Sequence, residues 1–276
     1  MRVFISADFE GIWGISSWDQ LSHDKENSRI RMTEEVNVVI DGIIAADCAI
    51  DTILVCDAHS NGQNLIPQLL RPPAMLVQGF PRGGDDIMYG IGKQFSAVFL
   101  VGYHAAAGTL GSSMDHTLYP TCIYEARLNG HAIGEVTLCA AIAGHYGVPV
   151  VFVSGDQAIE QETRTIGDDV VFVGTKRGVE RNAAVFSPWE EVKLQLLDGA
   201  EKAVSGASSR PPYELDSPVS LEVDLVTTSM ADMCTLVPSV KRVSGRTVSF
   251  ESSDFLDVYR MLMAIVFLAK AALAAR

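Results

Sequence analysis

The chain has 276 residues, 48% hydrophobic and 20% charged, enough for one large domain or a domain with a smaller appendage. Its 34 Asp and Glu outweigh 21 Lys and Arg, for a formal charge of −13. No block of Lys or Arg forms a stripe that could neutralise phosphates, which counts against nucleic acid and anionic membrane as partners.

In chain order, Val3-Phe4-Ile5 is a short apolar run bounded by polar residues, the pattern of a strand covered on both faces of a parallel sheet. Asp24 to Cys48 follows as a helix, with Val36, Val39, Ile40, Ile43 and Ile44 on one face. Thr52 to Cys56 and Phe95 to Val101 are further strands, and Leu76 to Gln78 is a short one. Glu135 to Tyr146 reads as a helix entered after Gly134, and Val150 to Val153 as a buried strand with Pro149 at its entry. Alternation of this kind implies right-handed crossovers and a mainly parallel sheet.

Beyond the Ser187-Pro188 start signal, Trp189 to Ser205 is helical. Glu222 to Val226 and Arg246 to Phe250 are strand candidates, and a helix begins at Asp254. Pro211-Pro212 marks the clearest break. The expectation is a three-layer α/β/α core with a mainly parallel sheet over residues 1–210, and a smaller α+β portion over 211–276 packed on it.

The five cysteines are odd in number and never spaced as CxxC, so they are expected to be buried thiols in a reducing compartment. The first strand starts too early to leave room for a leader, and the expected location is cytoplasmic. The apolar stretch from Met261 to Ala269 is too short for a membrane span and reads as a buried helix.

Four segments sit just beyond or within the apolar runs: Asp8-Phe9-Glu10, Asp57-Ala58-His59, Gly102-Tyr103-His104 and Gly134-Glu135. Ligands of parallel sheets gather at the carboxyl ends of strands, so these distant segments are expected to meet. Each has a plainer reading. An isolated DxE is more often a cap beside a solvated glutamate, Asp57 can form an Asx turn, a lone His104 is more often a satisfied core histidine, and Glu135 suits any helix N-terminus. Their joint occurrence at successive strand ends points to a metal site.

Two histidines and three carboxylates with no thiolate suit two zinc-like cations better than one structural zinc. A pair of such ions makes water reactive and polarises a carbonyl, the chemistry of hydrolysis. His116, in a Gly- and Ser-rich loop after His104, can serve as base, nucleophile or donor to an oxyanion.

Ser6-Ala7-Asp8-Phe9-Glu10-Gly11, Met32-Thr33-Glu34-Glu35, Asp57-Ala58-His59-Ser60, Gly102-Tyr103-His104-Ala105, Asp115-His116, Gly134-Glu135 and Ser154-Gly155-Asp156 together resemble the bacterial D-aminopeptidase family, also called dipeptide transport protein A. The resemblance implies a dinuclear zinc peptidase acting on short peptides, with two Zn2+ per subunit. Asp8 would bridge the ions, Glu10 and His59 would complete one site, and His104 and Glu135 the other. His116 matches the catalytic histidine. A homo-oligomer is also implied, a decamer of two stacked pentameric rings. The Gly-Ser loop between His104 and His116 departs from the family pattern.

Arg181 and Asn182 are expected on a solvated or interface face, with a substrate carboxylate as the alternative, and Glu34 and Glu35 on a helix surface or between subunits. Two other functions stay open: a dinuclear hydrolase of another amide or a phosphoester, and a non-catalytic peptide-binding protein. The lack of a Gly-rich phosphate loop counts against phosphate.

Overall fold

The computed structural model describes residues 1–83 and 85–274. Its strands are β1 (Arg2–Ala7), β2 (Thr52–Asp57), β3 (Met75–Val77), β4 (Ala97–Tyr103), β5 (Ile123–Leu128), β6 (His131–Ala132), β7 (Val150–Asp156), β8 (Val171–Glu180), β9 (Ala183–Val185), β10 (Val219–Leu225), β11 (Lys241–Arg242) and β12 (Thr247–Ser252). The helices are α1 (Trp18–His23), α2 (Lys25–Ala45), α3 (Glu135–His145), α4 (Glu160–Ile166), α5 (Trp189–Ser205), α6 (Thr228–Cys234) and α7 (Phe255–Ala274).

Seven strands form a sheet in the order β3-β2-β1-β4-β7-β8-β9, parallel throughout except for the antiparallel β8–β9 pair. Alternation along the strands sends side chains to two separate cores, interrupted where β4 and β7 shift register. On β1, Val3, Ile5 and Ala7 join Val36, Ile40 and Ile43 of α2 and Leu196 and Val204 of α5, while Phe4 faces the opposite core with Val98 and Leu100. Both faces being apolar explains why these strands are continuous hydrophobic runs.

The opposite core is closed by α3, α7 and an antiparallel sheet in the order β11-β12-β10-β5-β6. That sheet draws β5 and β6 from residues 123–132 and its other strands from residues 219–252. Arg127 on β5 bridges Glu125, Glu222 and Asp224, which tethers β5 to its neighbour β10 through charges. The strands β5 and β8 and the helices α4 and α6 escape the sequence reading. The apolar Met261 to Ala269 stretch lies within α7, and no described helix is long and apolar enough to cross a membrane.

The chain leaves β1 towards β2 and β3 and then returns to the other side of β1 as β4, creating a switch in strand order. A crevice opens at the carboxyl ends of strands flanking such a switch. There the β1 and β4 ends lie close: Asp8 N donates to Val101 O at 2.8 Å, and Gly11 N to Gly102 O at 2.7 Å. Gly102 has φ +77°, and a Cβ on it would stand 2.4 Å from Asp8 O. A side chain there is opposed by backbone conformation and by lack of space at once.

Gly102→Ala should therefore cost at least about 2 kcal/mol in urea unfolding. Gly108→Ala, at a similar φ of +83° but with nothing within 4 Å, should cost only the backbone share, about 1 kcal/mol. Equal losses would show that the close approach to Asp8 has no weight.

Candidate active site

Asp8 follows the last residue of β1, His59 lies two positions past β2, His104 follows β4, and Glu135 opens α3 behind its Gly134 N-cap. The five side chains expected to act together do meet. His59 Nδ1 lies 2.8 Å from Glu10 Oε2 and 3.4 Å from Asp8 Oδ1. His104 Nε2 lies 3.3 Å from Asp8 Oδ2 and 3.3 Å from Glu135 Oε1. Asp8 thus turns one oxygen to each histidine.

Three overlapping groups bring ligand atoms within 4.8 Å of one another: Asp8 with Glu10 and His59, Asp8 with His104 and Glu135, and Glu10 with His104 and His116. The donor set fits a divalent cation on two observations. Asp8 Oδ2 and His104 Nε2 are buried without a hydrogen-bond partner, an arrangement that costs free energy unless something positive sits between them. His104 Nδ1 donates to Ala105 O at 3.1 Å, which leaves Nε2 as the lone-pair nitrogen of the neutral ring.

Electrostatics agree with this. Burial opposes charge on Glu10, but His59 beside it overrides that and holds the carboxyl well below its usual range. Glu135 is likewise lowered against its burial by His104. Burial would lower His59 and His104, yet Glu10 acting on the first and Glu135 on the second, with Asp8 between, raise both well above an ordinary imidazole. Without a metal the carboxylates therefore retain protons on these rings, and a divalent ion has to displace them.

His116 behaves differently. It stacks on His104 with centroids 3.9 Å apart and planes 9° apart, and burial followed by the His104 charge lowers its pKa. Its Nδ1 donates to Met114 O at 2.8 Å, so Nε2 carries the lone pair, 3.7 Å from Glu10 Oε1 and 3.9 Å from Glu135 Oε1. The Gly-Ser loop carrying it is pinned: Ser113 donates from both N and Oγ to Asp156 Oδ2, and Gly178 N donates to Asp156 Oδ1. Asp156 thus orders this loop.

The family model described as D-aminopeptidase matches residues 1–264. This chain belongs to the D-aminopeptidase family. It is 30% identical over 277 residues to the D-aminopeptidase of Bacillus subtilis (strain 168), covering 98% of each sequence. It also matches the solved structure of the Zn-dependent D-aminopeptidase DppA from Bacillus subtilis, described as a self-compartmentalizing protease, with a TM-score of 0.91 and 27% identity over 98% of both chains.

Three more residues shape the site, and of these Trp18 carries no motif in the sequence. Trp18 donates from Nε1 to Glu10 Oε1 at 3.1 Å and presents an edge to His116. Asp57 stays out of the cluster and accepts from Asn64 N and Leu65 N at 2.6 and 2.8 Å, folding the loop that displays His59. Arg181 is occupied: it pairs with Asp115 at 2.5 Å and lies over the Trp18 ring.

Glu35 corrects an expectation, because it faces the interior and not a helix surface: it is wholly buried and accepts from Trp13 N at 2.8 Å. Lys176, 4% exposed, donates to Glu10 O and Ile15 O, and Thr175 Oγ1 donates to Gly11 O. The loop bearing Glu10 is thus clamped from β8 and α2.

Burial raises Glu35 to about 8 and lowers Lys176 to about 8. For Glu35 the folded state holds its proton more tightly than the unfolded chain, so stability falls as pH rises from about 4.5 to about 8. Lys176 acts only above pH 8, where stability returns as pH approaches its ordinary value. Between pH 5 and 7.5, Glu35→Gln should remove a destabilising slope of about 1.4 kcal/mol per pH unit relative to wild type in urea unfolding. Parallel profiles for the two proteins would refute a protonated Glu35.

Proposed function

We propose that this protein is a zinc-dependent aminopeptidase that removes the N-terminal residue, in the D configuration, from short peptides or amino-acid amides. Family membership and the relatives' activity support the reaction class and the stereochemistry. The observation that carries the reading within this chain is the division of Asp8, with Oδ1 3.4 Å from His59 and Oδ2 3.3 Å from His104.

Asp8 would bridge two zinc ions, Glu10 and His59 would hold one, and His104 and Glu135 the other. When bound, such ions supply Lewis acidity to the scissile carbonyl and lower the pKa of water towards neutrality. His116 is the catalytic residue: its neutral ring and free Nε2 lone pair take a proton from the attacking water and return it to the departing amine. The substrate's free amine would also donate its lone pair to a bound ion, which would account for selectivity at the amino end. Trp18 covers His116 and Glu10 and limits access of bulk water.

Five free cysteines, four of them buried, support a reducing, cytoplasmic setting. The description of the DppA structure supports assembly into a homo-oligomer, for which a decamer of two pentameric rings is our reading.

Chelation should abolish hydrolysis of D-alanyl-D-alanine, and zinc should restore it. Elemental analysis should find about two zinc ions per chain, falling towards one or none in His104→Ala. His116→Ala should lower kcat by about 10²- to 10⁴-fold while keeping about two zinc ions. Loss of zinc from His116→Ala would instead make His116 a ligand.

A further inference from the structure

The cluster opens into a cavity of about 380 Å³, within the range of small-ligand pockets. Its charged lining is one-sided. Asp8, Glu10, Asp86 and Glu135 contribute four carboxyl groups, and Lys270 contributes the one lysine or arginine among the described lining residues. Lys270 is half-buried, with Nζ 3.9 Å from the Tyr119 ring centroid, and it forms no ion pair among the described residues. An ammonium braced on an aromatic face at the wall of this cavity is placed to meet an anionic group of a ligand inside it.

The same stretch of α7 supplies apolar surface. Met263, Val266, Phe267 and Lys270 follow the spacing of one helix face, and all four line the cavity. Phe267 meets Phe80 at 6.1 Å between centroids, and the two rings are 46% and 45% exposed, so an aromatic pair stands at the rim. A single cavity therefore offers carboxylates, an apolar wall and a lone ammonium.

We propose that Lys270, braced on Tyr119, receives the C-terminal carboxylate of a short peptide, while the apolar face of α7 takes the side chain that follows the scissile bond. The inference rests on the aminopeptidase reading and narrows it. The preferred substrates are short peptides with a free C-terminus and an apolar residue after the cleaved bond, because with the amino end at the metal cluster the peptide's carboxylate meets Lys270. Longer or C-terminally capped peptides lose the second anchor.

The test compares D-alanyl-D-alanine with its C-terminal amide on zinc-loaded wild type, Lys270→Met and Lys270→Arg. Wild type should favour the free acid in kcat/KM by about 5- to 20-fold. In Lys270→Met that ratio should fall to near one through a higher KM for the acid, and Lys270→Arg should restore most of it. A ratio near one in wild type, or one that Lys270→Met leaves in place, overturns the proposal while the peptidase reading stands. Should zinc-loaded wild type cleave neither compound, the peptidase reading fails, and calorimetric binding of the same pair judges Lys270 separately. Preference for the acid that is lost in Lys270→Met upholds the carboxylate site, and equal binding of acid and amide overturns it.

Discussion

The crowding of Asp8, Glu10 and Glu135 into one buried space is the constraint on which the rest of the site depends. Carboxylates withdrawn from water repel one another strongly and remain ionised only where positive charge offsets them. In this chain His59 and His104 sit between them, and the alternation of carboxylate and imidazole leaves Asp8 shared by both. Such an arrangement is poor as a core and good as a binding site for divalent ions, whose charge replaces two protons at once.

Holding that charge in place requires a scaffold that cannot relax away from it. The parallel sheet provides one, because β1, β2 and β4 are buried on both faces and their carboxyl ends stand side by side. The loops beyond those ends are tied by donors and acceptors from remote segments: Lys176 and Thr175 hold the loop after β1, Asp57 holds the loop after β2, and Asp156 holds the loop bearing His116. These residues touch no reacting atom in the proposed chemistry, but they set where the reactive ones stand. The cavity beside the cluster is completed by α7, so the end of the chain shapes a site whose charged floor comes mostly from its first half.

Much of this was open to local reading. The strands β1, β2, β4 and β7 are runs of apolar residues with polar punctuation, and α2 and α5 keep a helical period, so the parallel sheet and its crossovers follow from pattern alone. The strand β8 escaped because Gly174, Lys176 and Gly178 break any apolar run; it is a strand because β7 pairs with it and because its lysine finds carbonyl acceptors on a loop far upstream. β5 escaped because Glu125 and Arg127 interrupt it, and those charges make sense only beside Glu222 and Asp224.

By itself the amino-acid sequence determined the covered parallel sheet, the placement of acidic and histidine residues just past its strands, and the family resemblance, since each is written in neighbouring residues or in ordered short motifs. Tertiary structure alone decided that the two oxygens of Asp8 are divided between two histidines, that Glu35 and Lys176 are interior clamps, and that Lys270 shares a cavity with the carboxylates. Those outcomes depend on distances and burial between segments far apart along the chain, and no local pattern encodes them.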